Sequence, residues 1–525
     1  MSEKAKRDFA EAATGAVADE TEELVEQAEK TKKGKKGGDQ DNETQAQKLL
    51  KIALERYRFG RDEVGKPFAV PLEGSGVVRY FDKGQGELLN ELAREFYRAH
   101  GKPPATNSLN EARGVLAGIA MEVDPEPVAL RVGRESGPSR GIVIDLGDAD
   151  ERAVIVRPGS WEIVDKSPIL FRRTKATMPF PEPRKGGTFD GIGELLNVSQ
   201  RDLDLLLAYV VVSFIPEIQH AVLYINGEQG TGKSDLTKML VTLMDPTSVP
   251  LRKKPRDDKD WSSAANASWV VPLENMSKIP EWLSDDLCRA VSGDGVIERQ
   301  LYTNDDIAIR AFKRVIVLNG IEVLGIRPDL ADRMFMVTLA PIPPEERRSE
   351  AAIAEDFSAL RGSVFGAILD CLGNVLEVME SGRHITKKAP RLADFAHALR
   401  AVDLVWGDTK TLQRFWNLQR QQARGIAEGD SLTVVLKMIV ASHKGHWRGT
   451  PDQLLTEVQD TATRFGKSSG IPQSPHSLGH ALTRLSPPLR EAGWSVTRPR
   501  SNGVRYVDLR APEEAPKEEE GKDRP

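Results

Sequence analysis

The sequence predicts a multidomain protein of mixed α/β and α+β class, with a central α/β unit and a C-terminal unit of helices closed by a hairpin. Three observations predict it. Residues 188–345 alternate apolar strand patterns with helical stretches; residues 51–180 carry short strands broken by Gly and Pro; residues 431–510 run from helices into two strands. An α/β alternation calls for a mostly parallel sheet, since each parallel crossover covers a sheet face with a helix.

The chain of 525 residues is long enough for about two to four domains. Its 73 Lys and Arg against 78 Asp and Glu leave a net charge of -5, which excludes a uniformly basic nucleic-acid coat protein but not local basic surfaces. With 39% hydrophobic and 29% charged residues it is globular in composition. Cys288 and Cys371 are the only thiols, too few for a four-thiolate zinc site or a disulfide framework, and they fit a reducing cytoplasm. The opening MSEKAKRDFAEAA lacks a secretory apolar stretch. The greasiest run, 205–215, is interrupted by Ser213 and suits a buried helix, so no membrane is expected.

The elements follow in order. Residues 1–50 form a loosely helical or disordered tail, because KKGKKGGDQDNE has almost nothing to bury; a DNA-touching basic tail is the alternative. Within a 51–180 domain, strands are expected at 57–59, 68–70 and 77–81. A helix follows over 86–100, with Leu88, Leu92 and Phe96 on one face. Ser108 and Glu111 predict a capping box for a second helix through 120. Strands at 128–131, 141–146, 153–156 and 161–164 make a small antiparallel sheet, and 179–187 is a linker. Asp148 and Asp150 have the spacing of metal-binding carboxylates, but the run GDADE favours a hairpin turn. The core at 188–345 offers a helix at 203–214 and strands at 221–226, 269–273 and 315–318; helices fill 350–430, and 511–525 is an acidic disordered tail.

The strongest chemical signal is Gly227-Glu228-Gln229-Gly230-Thr231-Gly232-Lys233-Ser234, a full G-x-x-x-x-G-K-[ST] match between a strand and a helix. Gly227, Gly230, Thr231 and Gly232 let backbone N–H groups turn around phosphates at a helix N-terminus. Lys233 is expected on the β and γ phosphates of ATP and Ser234 on Mg²⁺. Glu274 closes the apolar run Trp269–Leu273 and is the candidate second metal ligand, ahead of Asp257, Asp258 and Asp260 in a polar loop. Asn275 stands where a second carboxylate often follows, and Pro272 cannot donate to a sheet ladder. Asn319 ends the strand VIVLN, either to position an attacking water or as an Asn-Gly turn.

In order and spacing these residues resemble the ATPase core of superfamily 3 helicases. They resemble most the AAA+-related helicase part of phage, plasmid and integrative-element primase–helicases. The stretch AVSGDGVIERQLY (290–302) is similar to that family's motif near a DNA-contacting loop, and Arg327-Pro328-Asp329-Leu330-Ala331-Asp332-Arg333 to the segment before its closing strand. The resemblance covers about 188–345 well and the flanks to 510 loosely. It implies an ATP- and Mg²⁺-dependent helicase or translocase working as a homo-oligomer, a hexamer in the family, on single-stranded or forked DNA with other replication partners. It further implies an arginine finger supplied across subunits, Arg333 first and Arg327 second. Arg299, Arg310, Lys313 and Arg314 surround the apparent loop between the sheet elements, either to track phosphates on one DNA strand or as a solvated charged face.

Residues 431–510 carry 11 Lys or Arg against 5 Asp or Glu, a local excess in an acidic protein. Arg484, Arg498, Arg500 and Arg505 gather around the last helix and hairpin, a winged-helix-like pattern suited to DNA or to protein packing. His443 and His446 lack a third metal ligand. Three other functions stay open: a nucleotide-responsive regulatory or defence ATPase without processive unwinding, a non-catalytic DNA-binding assembly protein, and a bifunctional primase–helicase.

Overall fold

The computed structural model describes residues 43–74, 76–81, 87–137, 140–294, 296–299, 307–310, 312–321, 326–386, 391–407, 409–429, 431–466, 471–491, 493–501 and 504–512. The expectations for 1–42, for 513–525 and for the loop at 300–306 lie outside these residues, as do the side chains of Arg299, Arg310 and Arg484.

The chain divides into two compact units, and the division differs from a single 51–180 domain. Among the described residues, 43–56 and 87–118 belong to one; 57–81 and 119–512 belong to the other. The first unit is helical: Gln45–Arg56, Glu87–His100 and the start of Thr106–Glu122. Leu49, Leu88, Leu92, Phe96, Ala112 and Leu116 are buried in it, and Glu95 pairs with Arg56 at 2.9 Å. The predicted cap at Ser108 is corrected. The helix begins at Thr106, so Ser108 lies inside its first turn, and the Ala105 N–H just ahead of it donates to Gln45 Oε1 at 2.8 Å.

In the second unit, the strands Val132–Arg134, Ile142–Asp145, Ala153–Arg157 and Ser160–Val164 form an antiparallel sheet in sequence order. Short connections set that antiparallel order, and both faces of the middle strands are covered, Ile142, Ile144, Val154 and Val156 in the main core and Val143, Ala153 and Ile155 in a second cluster. The Asp148 carboxylate closes its turn, accepting from the backbone N–H of Arg152 at 2.9 Å and from the Arg152 guanidinium at 2.7 Å.

The central sheet is parallel, in the order Val270–Leu273, Val315–Gly320, Val222–Asn226, Met334–Thr338. Residues 222–225 and 315–318 are fully buried, as continuous apolar runs covered on both faces must be. Pro272 is tolerated because its strand lies at the sheet edge. Helix Gln200–Val212, capped by Ser199, and the 31-residue helix Glu350–Glu380 pack into the same core. Glu350–Glu380 is long and apolar enough to cross a membrane, and 67% of its most apolar window is buried inside the fold.

One core runs through to Leu418; a separate core begins at Leu432 and ends at Leu509. The second gathers helices Ser431–Ser442, Pro451–Arg464 and Pro475–Glu491 around a three-stranded sheet, His446–Gly449, Val507–Arg510 and Ser495–Thr497. Leu478, Leu482 and Leu485 face inward from one stripe of the last helix.

Candidate functional site

Strand Val222–Asn226 leads into the glycine loop, which leads into helix Lys233–Met244. Gly230 and Gly232 have φ of 79° and 81°, the left-handed region that a side chain disfavours. A Cβ on Gly227 would lie 2.6 Å from Thr231 Oγ1, so that turn closes only around glycine. Thr231 is fully buried and donates to the Glu228 carbonyl at 2.9 Å. Lys233 curls over the loop and donates to the same carbonyl, and partial burial lowers its ammonium below the ordinary lysine value. Ser234 is exposed at the first helical turn.

Register brings the other candidates to the same edge. Ile225 lies opposite Asn319 and Asn226 opposite Gly320, while Leu273 lies opposite Leu318. Glu274 therefore leaves its strand level with Asn319 and with the start of the glycine loop. This is the carboxyl edge of a parallel sheet, where ligands of α/β folds gather. Glu274 is half-buried, and its N–H donates to the Arg252 carbonyl at 2.8 Å.

Asn319 is 2% exposed, with both ends of its amide engaged. Its Nδ2 donates to Thr237 Oγ1 at 3.0 Å, and its Oδ1 accepts from the Asn275 N–H at 3.1 Å. Thr237 Oγ1 in turn donates to the Lys233 carbonyl at 2.7 Å. The side chain thus braces the loop helix against the turn after Glu274. Asn275 holds that turn at φ 56°, which Asn tolerates better than most residues. Gly320 makes the close approach possible: a Cβ there would lie 2.3 Å from the Tyr224 hydroxyl and 2.8 Å from the Met276 carbonyl. At the far end of the loop helix, Asp245 accepts from the N–H groups of Trp269 and Val270 and pairs with buried Arg131 at 2.7 Å.

Arg333 lies elsewhere. Its carbonyl accepts from the Val222 N–H at 2.8 Å, at the start of the strand whose end carries the loop. Four steps of about 3.3 Å put roughly 13 Å of strand between them. Its guanidinium is paired with Asp329 at 2.8 Å and lies beside Cys288, whose thiol burial pushes up to about 12. Arg327 pairs with Asp285 at 3.0 Å.

Sequence reasoning missed Arg347. A Cβ on Gly230 would lie 3.5 Å from its Nη2, and Ile342, whose carbonyl accepts from Arg347 Nε at 3.3 Å, lies 3.6 Å from the same position on Gly232. The signal was the closing strand: running parallel to Val222–Asn226, it must deliver the residues after Thr338 to the loop edge.

Among the DNA candidates, Arg314 is corrected. It is 7% exposed, its guanidinium donates to the Ala265 and Lys313 carbonyls at 2.6 and 2.7 Å, and burial pushes it down to about 9. No surface is left to track a phosphate. Lys313 is half-buried and donates to the Glu217 carbonyl. Arg498 is pinned to the last helix through Thr483 Oγ1 and the Gly479 carbonyl, at 2.9 and 3.0 Å. Arg500 and Arg505 face each other across a short exposed hairpin. With His476 and His480 they line a groove of about 440 Å³.

The chain matches two family models in succession. Residues 190–415 match the actinomycete integrative conjugative element replication protein (AICE RepA), and residues 432–520 match the AICE RepA C-terminal domain. No curated protein matches the sequence. Among solved structures, it is similar to the apo A form of the NrS-1 C-terminal region, with 15% identity, 89% of this chain and 99% of that one covered, and a TM-score of 0.39. It is also similar to SCCmec type IV Cch, described as an active helicase, with 11% identity, 87% and 93% covered, and a TM-score of 0.44. The sequence matches are to a replication protein and single out no helicase superfamily.

Proposed function

We propose that this chain, matched along its central and C-terminal parts to replication-protein models, is an ATP-dependent DNA helicase or translocase of a superfamily 3-like, AAA+-related kind. It would serve the replication of an integrative element. The observation that carries the reading is the register that gathers the glycine loop, Glu274 and the Asn319 brace at one sheet edge. Lys233 and the loop N–H groups would hold the β and γ phosphates, with Arg347 adding a second cation in the same subunit.

The donor set fits Mg²⁺. Ser234 and Glu274 offer hard oxygens, and among the described residues no cluster of three or more His, Cys, Asp or Glu competes as a separate metal site. Magnesium suits such sparse protein ligation because phosphates and water complete its shell. When bound, it supplies charge neutralisation for the transferred phosphoryl group. The chain's own part is to fix the loop, hold Glu274 at the strand end and keep the Asn319 brace rigid.

Arg333 lies far from the loop of its own subunit, so the finger role implied by the resemblance would need a neighbouring copy, as a ring-forming homo-oligomer, hexameric in the family, would provide. The exposed Arg500 and Arg505 hairpin supports backbone contacts to DNA from a winged-helix-like end unit. ATP hydrolysis with and without single-stranded and forked DNA, in the intact chain and in Lys233→Ala, tests the reading. DNA-stimulated turnover that disappears in the variant is expected; no turnover under any magnesium or DNA condition sinks it. A second reading, a DNA-binding ATPase that switches without unwinding, is favoured by Asn275 following Glu274. Turnover without strand separation would select it.

A further inference from the structure

Helix Pro475–Glu491 has two working faces. Leu478, Leu482 and Leu485 close the core of the end unit, while His476, His480 and Thr483 line the arginine-bearing groove. His476 and His480 are four residues apart, so their side chains lie one above the other on that second face. Both are exposed, and their rings meet edge to face with centroids 4.5 Å apart. The two Nε2 atoms stand 3.3 Å from each other. Two nitrogens bound at about 2.05 Å to a tetrahedral zinc ion lie roughly 3.3 Å apart, so the rings already hold the spacing of a chelating pair. The other histidine pairs are placed differently. His384 and His397 have ring centroids 5.9 Å apart, and His443 and His446 each turn Nε2 to a carboxylate, Glu457 at 3.4 Å and Asp508 at 3.2 Å.

The surroundings decide which ion fits. Arg498, Arg500 and Arg505 line the same groove, and among the described residues no Asp or Glu does. His476 also sits in the first turn of its helix, where the backbone dipole is positive. Both features repel a cation held by charge alone. Magnesium and calcium, which need oxygen ligands, are therefore disfavoured, and an ion that bonds imidazole directly is favoured. With two protein donors, such an ion keeps two positions for water or for a phosphate oxygen drawn to the arginines. Neutral rings lose no proton on binding. The ring that donates across the pair moves its hydrogen from Nε2 to Nδ1, and both Nε2 lone pairs then serve the ion.

We propose that His476 and His480 bind one divalent transition-metal ion of the zinc class, as an open two-imidazole site on the basic groove of the end unit. Zinc binding by the full chain in excess magnesium, read by competition with a chromophoric chelator, tests it. One zinc per chain is expected. His476→Ala and His480→Ala should each weaken it at least about 10-fold, the lower end of what even outer-shell partners of a metal contribute. His443→Ala combined with His446→Ala should leave it unchanged. Zinc should also raise the thermal midpoint of the intact chain and not that of the variant lacking both His476 and His480. Should an alanine variant fail to fold, His480→Gln, which keeps a polar side chain on the exposed face, gives the same loss. No zinc retained against magnesium, or uptake that survives the loss of both histidines, overturns the site.

Discussion

The two edges of the central sheet each carry an arginine, and the two are in opposite condition. At the loop edge Arg347 is exposed, held by one long contact to the Ile342 carbonyl, with its guanidinium over Gly230. At the far edge Arg333 is mostly enclosed and paired with Asp329, which is shared with Arg391 at 2.7 Å. The same side chain type is thus available at one edge and spoken for at the other. A loosely held cation can follow a phosphate at little cost, whereas Arg333 must first exchange an ion pair. On the proposed reading, the far edge would act only where a neighbouring copy offers a better partner than Asp329.

That contrast is broken most sharply by Arg333→Ala. ATP turnover is expected to fall about 10³-fold, the usual scale for an arginine finger, while ATP affinity stays within a few-fold. Mixing Arg333→Ala with Lys233→Ala should restore turnover, because each copy then supplies what its neighbour lacks. Steady-state hydrolysis over a range of mixing ratios measures it; a linear, unrescued response would return Arg333 to a purely structural pairing.

The far edge also carries His220, buried under Trp269 and bonded to the Val212 carbonyl at 3.1 Å. Burial pushes its imidazole down to about 4 from an ordinary value of 6.5. The unfolded chain therefore binds this proton first as pH falls. The stability of the neutral form is complete above pH 6.5 and is lost progressively towards pH 4, by roughly 3 kcal/mol. Denaturation midpoints at pH 7.5 and 4.5 check this, with His220→Gln giving a flatter profile. At the loop edge, Gly320→Ala is expected to cost about 1–3 kcal/mol, since its Cβ collides with both Tyr224 and a backbone carbonyl. Thermal unfolding measures the loss; an unchanged midpoint would mean the brace around Asn319 is looser than its contacts imply.

Much of this was legible from sequence because it is local. The strands are carried by apolar runs at 222–225, 270–273 and 315–318, and the glycine loop is a motif whose backbone geometry needs those residues. What was not legible depends on partners far along the chain. Nothing near Arg314 announces that the Ala265 carbonyl waits 49 residues away, and Asn319 looks water-facing until Thr237 and Asn275 take both ends of its amide. The short strand His446–Gly449 was invisible for the same reason: only its pairing with Val507–Arg510 makes it a strand.

The smallest effect belongs to the loosest cation. Arg347→Ala removes a guanidinium that no carboxylate among the described ion pairs holds, so the fold should keep its thermal midpoint. It also removes positive charge from over Gly230, where only Lys233 would then face the phosphates. ATP affinity is expected to fall about 10-fold, close to one charge-assisted hydrogen bond. Arg347→Lys should recover only part of it, because an ammonium cannot offer two parallel N–H groups to one phosphate. Titration calorimetry with ATP and ADP sharpens the point: a loss confined to ATP places the guanidinium at the γ phosphate, and an equal loss for both places it on the β phosphate. Mixing with Lys233→Ala should bring no rescue here. A subunit that lacks Arg347 lacks it at its own loop, and that separates the near edge from the far one.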